Sequence, residues 1–389
     1  MDKFNIADKK IGEGQPCYII AELSCNHNGD FNEARKLIEA AGDAGADAVK
    51  LQTYTADTIT RDFKSSLNQT MWAGVDLYDL YDKAHTPWDW FSDLKKVADD
   101  NGVHFFSSPF DETAVDFLME QDVPAFKVAS FEVVDTKLME YIAQTGKPVI
   151  ISNGMTTFLE MKEAYDVLKN ADAIDIAMLH CNSGYPADFA EVNLKTIPAI
   201  EQLFGCPAGL SDHTLFLDAD NKTQPMAHVA PVESVKFGAK IIELHLISDR
   251  AEAKAMFDKN EGGYDWAFSR EPGELKKLVS MIREYEGTGV VAYDTDEEND
   301  AALLTHGKIC FEPTEREMAS RQARPALWAV EDIKKGEGFK FAAGREGNFD
   351  SIRPGNGGLH IRFTDILLNK TASRDIPAGT PLDWDHVEI

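Results

Sequence analysis

The feature that most constrains this chain is a series of eight short apolar runs, each leading directly into polar residues. Residues 18–21 run into Glu22, and 48–49 lead to Lys50 and Gln52. Residues 104–106 run into Ser107 and Ser108, and 125–129 into Ser130 and Glu132. Residues 148–151 run into Ser152, and 174–179 into His180 and Ser183. Residues 208–210 run into Ser211 and His213, and 240–242 into Glu243 and His245. Between most of them lie stretches with apolar residues at helical spacing, such as 32–42 and 158–170. The pair Ala44-Gly45 offers the glycine that commonly ends a helix. Eight strand–helix units predict an α/β fold, a (β/α)8 TIM barrel whose functional groups gather at the C-terminal strand ends.

Beyond Arg283 the pattern breaks, and the acidic stretch at 294–300 reads as a solvated connector. From about Ala326, short β-like pieces alternate with glycine and proline. The expected division is a barrel over 1–290, a linker over 291–325 and a small β-rich domain over 326–389. A module of that size buries little surface alone, so it is expected to pack on another surface.

The rim residues suggest a chemistry. One lysine, Lys50, among the hydroxyls of Ser108, Ser130, Ser152, Ser183 and Ser211 suits a phosphate monoester. No Walker A motif occurs, and no GxGxxG follows the first strand, so a nucleotide cofactor is not indicated. His213 and His245 end neighbouring strands, where two imidazoles with water and a substrate oxygen suit Mn2+ or a similar divalent ion. His27 follows the first strand and is either structural or substrate-facing. The acids Glu22, Glu132, Glu243 and Asp265 can orient water, move protons or bind hydroxyls.

The net charge of −27 opposes nucleic acid and anionic membranes as partners. No apolar run reaches membrane-spanning length, and the first residues lack a signal-peptide core. Five widely spaced cysteines without a CxxC point to free thiols and a cytoplasmic protein.

The segments IIAELSCNHNGDFNEA, AGADAVKLQTY, FFSSPFDETAVDFL, FKVASFE, KPVIISNGM, HCNSGYP, GLSDHT and IIELH resemble the sialic acid synthase family in order and spacing. RPGNGG followed by ASRDIPAGTPL resembles that family's C-terminal antifreeze-like (SAF) domain. LQTYTADTIT and LYDLYDKAHTPWDW look most like the pseudaminic acid synthase branch. The resemblance implies an enzyme that condenses phosphoenolpyruvate with an open-chain N-acetylated amino sugar, giving a nine-carbon 2-keto acid and phosphate. Its implied cofactor is a divalent metal, Mn2+ or Mg2+, on His213 and His245, with Glu22 managing charge or water at the reacting carbon. Lys50, Ser108, Ser130, Ser152, Ser183 and Ser211 match the family's phosphoenolpyruvate positions. Gln52, Tyr185 and Asp265 match its sugar positions. Arg353 matches an arginine that the SAF domain extends into a partner subunit's site, which implies a domain-swapped homodimer.

The chain departs from the family pattern at Leu244, where lysine is usual, and at Gly263-Tyr264-Asp265, where Gly-Pro-Asp is usual. Segments 220–231 and 251–260 look inserted. Alternatives are an N-acetylneuraminate or legionaminic acid synthase, or an inactive sugar-acid-binding homologue. An aldolase or isomerase would instead use Lys50 or Lys127 as a Schiff base.

Overall fold

A computed structural model describes residues 3–68, 70, 72–214, 226–355 and 357–388. Strands β1 (Phe4–Ile6) and β2 (Lys9–Ile11) form an antiparallel hairpin. Eight parallel strands then close a barrel: β3 (Tyr18–Glu22), β4 (Ala48–Thr53), β5 (His104–Pro109), β6 (Phe126–Val128), β7 (Val149–Ser152), β8 (Ile176–Cys181), β9 (Ala208–Asp212) and β10 (Ile241–His245). Every apolar run read from the sequence is one of these strands. Closure is made by β10 on β3, which sets Ile241 beside Tyr18 and His245 beside Glu22. The first and last strand ends are thereby neighbours, although more than 200 residues separate them in the chain.

The helices form where the sequence supplies both a stripe and a stop. Helix Phe31–Ala44 is capped by the Asp30 side chain and ends at Gly45 with φ +83°. Its Ala34, Leu37, Ile38 and Ala41 are buried against the barrel. Helix Phe158–Asn170 opens with a Thr157/Glu160 capping box. The β1–β2 hairpin covers the N-terminal end of the barrel: Asp8 meets His104 Nε2 at 2.8 Å and Lys9 meets Asp47 at 2.8 Å. No period signalled this hairpin, because three-residue strands are too short to show one.

Two stretches of the sequence gain structure. The acidic stretch at 294–300 opens the helix Asp296–His306, with a Thr295/Glu298 capping box and Glu298 buried. Acidic residues in a first helical turn are stabilised by the helix dipole, so the charge run marks a helix start. The apparent insertion at 251–260 is mostly the helix Arg250–Asp258. Of the other apparent insertion, residues 220–225 lie outside the described residues.

The last part of the chain is a three-stranded antiparallel sheet, β12 (Phe349–Ile352), β11 (Ala326–Ala329) and β13 (Thr380–Pro381) in that order. It lies on the C-terminal rim of its own barrel. Arg353 N–H donates to Ile59 O at 3.0 Å, and Ser351 Oγ donates to Asp135 Oδ2 at 2.6 Å. Phe63 of the barrel stacks on Trp328. No helix among the described residues is long and apolar enough to cross a membrane.

Gly209 in β9 shows how tightly the ladder closes: a Cβ there would stand 2.1 Å from the Ile241 carbonyl oxygen. Gly209→Ala is expected to cost about 3 kcal/mol, since the backbone of β10 must move to admit the methyl. Thermal unfolding measures this; an unchanged Tm would show that the strands slide freely.

Candidate active site

The pleat decides which strand-end residues face inward. In a barrel, alternate residues along each strand point inside and outside. In β10 this sends Glu243 and His245 into the pocket and buries Leu244 in the apolar core. The Leu244 departure therefore lies on the opposite face of the strand from the histidine pair. In β6 the same rule sends Lys127 inward between Phe126 and Val128. The pocket collects Glu22, Lys50, Gln52, Lys127, Ser130, Ser152, Tyr185, Ser211, His213, Glu243, His245, Asp265 and Arg353 at the C-terminal mouth of the barrel.

Its floor is a buried network of charges. Lys50 Nζ lies 2.6 Å from Glu22 Oε2 and 3.8 Å from Glu243 Oε2. Lys127 Nζ lies 3.4 Å from Glu243 Oε1. Burial would discharge Lys50, but Glu22 and Glu243 raise its pKa above the usual lysine value. For Lys127 burial prevails and its pKa falls. Burial also opposes the charge of Glu243, but Lys127 and Lys50 hold its carboxyl below the usual range. Ser211 Oγ donates to Glu243 Oε1 at 3.3 Å, and Lys50 donates to Ser108 Oγ at 3.0 Å. The buried Ser152 hydroxyl has no hydrogen-bond partner, although it lines the pocket. Two ammonium groups beside an unpartnered hydroxyl suit a phosphate or carboxylate.

The predicted serines divide. Ser130, Ser152 and Ser211 line the pocket; Ser108 and Ser183 do not. Ser108 stands behind Lys50, and Ser183 is fully buried beside Cys181. Lys127, considered only as a Schiff-base residue, takes a place with the anion-binding group. A lysine inside the apolar run Phe126-Lys127-Val128 was the available signal.

His213 and His245 face one another with ring centroids 5.2 Å apart. His213 Nδ1 is 2.9 Å from the Asn182 carbonyl, which can only accept, so Nδ1 carries the proton. His245 Nδ1 is likewise 3.0 Å from Asp265 Oδ2. Both rings are left with an Nε2 lone pair for an ion, and the Asp265–His245 contact is the carboxylate support that metal-bound imidazoles commonly have. Burial lowers the pKa of His213, which favours the neutral form a ligand needs. The described residues hold no cluster of three or more His, Cys, Asp or Glu suited to a metal. Two histidines with open positions nevertheless fit an ion whose remaining ligands are water and substrate.

Glu22 accepts from Ser24 Oγ at 2.6 Å, and Gln52 Nε2 donates to that same hydroxyl at 2.9 Å. Asn28 Oδ1 accepts from Gly263 N at 2.8 Å and so anchors the loop carrying Asp265. Gly263 has φ +65°, and a Cβ there would meet the Ala253 carbonyl at 2.0 Å. His27 bonds Thr86 and the Gly29 amide and does not line the pocket, so its role is structural.

Arg353 is the contribution of the terminal sheet to the pocket. It enters the pocket of its own chain, where Nε donates to Glu132 Oε1 at 3.1 Å and Nη1 to the Tyr81 hydroxyl at 2.9 Å. Its guanidinium lies 4.7 Å from the Phe131 ring centre and 5.3 Å from that of Phe110. Burial works against its charge, but Glu132 holds it protonated. Glu132 thus acts as the arginine's partner. The far wall is apolar and aromatic, with Leu67, Trp72, Leu80, Ala84, Tyr264 and Phe268. The sequence reading missed this wall, because it comes mostly from loops without a period.

A model of the NeuB family matches residues 37–289, and a model of the SAF domain matches 324–388. The chain is 36% identical to the pseudaminic acid synthase of Campylobacter jejuni over 378 residues, 96% of each chain. It is 35% identical to the uncharacterized protein MJ1065 of Methanocaldococcus jannaschii, over 100% of this chain and 99% of that one. The solved spore coat polysaccharide biosynthesis protein SpsE of Bacillus subtilis superposes with a TM-score of 0.78 at 30% identity, covering 100% and 99%.

Replacing the support of His245 tests the ion site. Asp265→Asn is expected to weaken Mn2+ binding about 10- to 100-fold, by freeing the imidazole to rotate or change tautomer. Calorimetric titration with Mn2+ measures it, and unaltered affinity would remove Asp265 from that role.

Proposed function

This chain belongs to the NeuB family, and from that premise we propose that it joins phosphoenolpyruvate to the open-chain aldehyde of a diacetamido-trideoxy sugar, as a pseudaminic acid synthase. The observation that carries the reading is one pocket with two unlike halves. Lys50, Lys127, Ser152 and Ser211 offer charge and hydroxyls to an anion, while Leu67, Leu80, Ala84 and Tyr264 offer an apolar wall. A sugar with two acetamido methyls and a deoxygenated C6 presents three methyl groups to such a wall. N-acetylmannosamine presents one, together with a C6 hydroxyl that an apolar wall leaves unpaired.

Between the halves stand His213, His245 and Glu22. His213 and His245 would hold a divalent cation, Mn2+ or Mg2+, which would supply Lewis-acid activation of the aldehyde. Lys50 and Lys127 hold the phosphate and carboxylate so that C3 of phosphoenolpyruvate faces the aldehyde carbon. The new bond forms between these carbons, and the aldehyde oxygen takes up a proton. C2 then bears positive charge, which Glu22 is placed to stabilise. Water adds at C2 and loses one proton; the resulting C2 hydroxyl loses the second as the C2–O bond to phosphate breaks, leaving the ketone and phosphate. Arg353 and Gln52 bind the polar groups of the sugar.

Phosphate release from phosphoenolpyruvate with Mn2+ tests the reading. The diacetamido-trideoxy sugars are expected to exceed N-acetylmannosamine in kcat/KM by about tenfold or more. The stereoisomer turned over separates the pseudaminic from the legionaminic product. No turnover with any of these sugars, in a folded protein, would overturn the proposal. One observation favours a second reading, a Schiff-base aldolase: the lowered pKa of buried Lys127. Borohydride inactivation in the presence of pyruvate would support it.

Arg353 gives a further test. In the single chain the arginine reaches its own pocket, and co-expressed Arg353→Ala and His213→Ala chains that stay as inactive together as apart would support that arrangement in the assembly. Recovered activity in the mixture would show that the arginine is exchanged between subunits.

A further inference from the structure

Behind the anion-binding side of the pocket, the segment between barrel and terminal sheet grips two strand-end loops. Helix Glu315–Ser320 begins with a Thr314/Glu317 capping box. Glu317 is buried, and its carboxylate reaches well beyond its own helix. Oε1 accepts from the Met155 amide at 2.7 Å and from the Ser183 amide at 2.8 Å, while Oε2 accepts from Thr314 N at 2.9 Å. One side chain thus ties the loop after β7 to the loop after β8.

The carbonyls of the same two residues are held from the same segment. Met155 O accepts from Arg321 Nη1 at 2.8 Å and Arg324 Nη2 at 2.7 Å, and Ser183 O accepts from Ser320 Oγ at 2.8 Å. Met155 has φ +51°, a left-handed conformation that a methionine adopts at a cost. Both polar groups of this strained residue are therefore satisfied by the linker.

The grip bears on the pocket through Gly154. Its amide donates to Ser130 Oγ at 3.0 Å. A Cβ at this position would stand 2.1 Å from Ser183 Oγ and 2.9 Å from Ser130 Oγ. The backbone between Ser152 and Met155 is wedged against Ser183 and the pocket-lining Ser130, so a shift of Met155 displaces the Ser130 hydroxyl.

We propose that Glu317 is a positioning residue for the anion-binding half of the pocket, setting the spacing of the loops after β7 and β8 from the linker. The inference rests on the synthase reading. A carboxylate serves here because it accepts three N–H groups; an amide would turn an NH2 toward one of those donors.

Glu317→Gln is expected to raise the KM for phosphoenolpyruvate about tenfold, with the KM for the sugar within twofold of native. Glu298→Gln loosens the same linker where Glu298 accepts from Asp294 N and pairs with Lys277, away from the pocket, and should leave both constants unchanged. A normal phosphoenolpyruvate KM in folded Glu317→Gln, an equal rise in both KM values, or the same effect from Glu298→Gln would overturn the proposal. Should Glu317→Gln fail to fold, Ser320→Ala removes only the hydroxyl on Ser183 O. It should raise the phosphoenolpyruvate KM about threefold, and no rise would overturn the proposal. Calorimetric binding of phosphoenolpyruvate to the native protein separates the failures: no binding defeats the synthase reading, whereas binding undiminished in Glu317→Gln defeats this inference alone.

Discussion

Everything at the mouth of this barrel depends on four charges buried together. Glu22, Lys50, Glu243 and Lys127 come from β3, β4, β10 and β6, and each is almost wholly withdrawn from water. An isolated charge in such a place would neutralise itself or unfold the site. Their mutual neutralisation keeps Lys50 and Glu243 ionised, so a substrate anion meets fixed charges. That network requires a closed barrel, because β10 must lie on β3 to bring Glu243 toward Lys50. The fold and the chemistry are therefore coupled: opening the ladder would strand four charges at once.

Around this floor the chain places groups that act on one another before they act on any ligand. Asn182 O and Asp265 fix the protons of His213 and His245. Glu132 and Tyr81 hold the Arg353 guanidinium among aromatic rings. Preorganisation of this kind spares the cost of ordering long side chains when substrate arrives. The terminal sheet contributes through Arg353 at the top of the pocket and through its linker behind the serines. The terminal module, whose own Leu327, Ile333, Phe349 and Leu382 are buried, is thus tied to the barrel at both places.

Much of this was legible in sequence. A strand of four to six residues with a polar end is a local pattern, and so are capping boxes and the glycine after a helix. The reading failed where the signal was not local. The acidic run at 294–300 read as a plain connector because charge alone does not reveal a capped first turn. Leu244 stood out as a departure next to His245, but adjacency in sequence conceals the pleat that turns it to the other face. Lys127 was set apart from Lys50 because nothing in a single strand shows which neighbours its side chain will meet.

The sequence by itself determined the eight-unit barrel, the polar rim, the histidine pair and the small terminal domain. Those follow from periodicity and residue chemistry, which are written along the chain. Only the tertiary structure decided that His245 answers to Asp265, that Ser108 and Ser183 stand behind the pocket, and that Arg353 pairs with Glu132. It also decided that Glu317 joins two loops far from it in sequence. Each of these is a contact between segments that share no local pattern, and such contacts exist only once the barrel has closed and the linker has folded back across it.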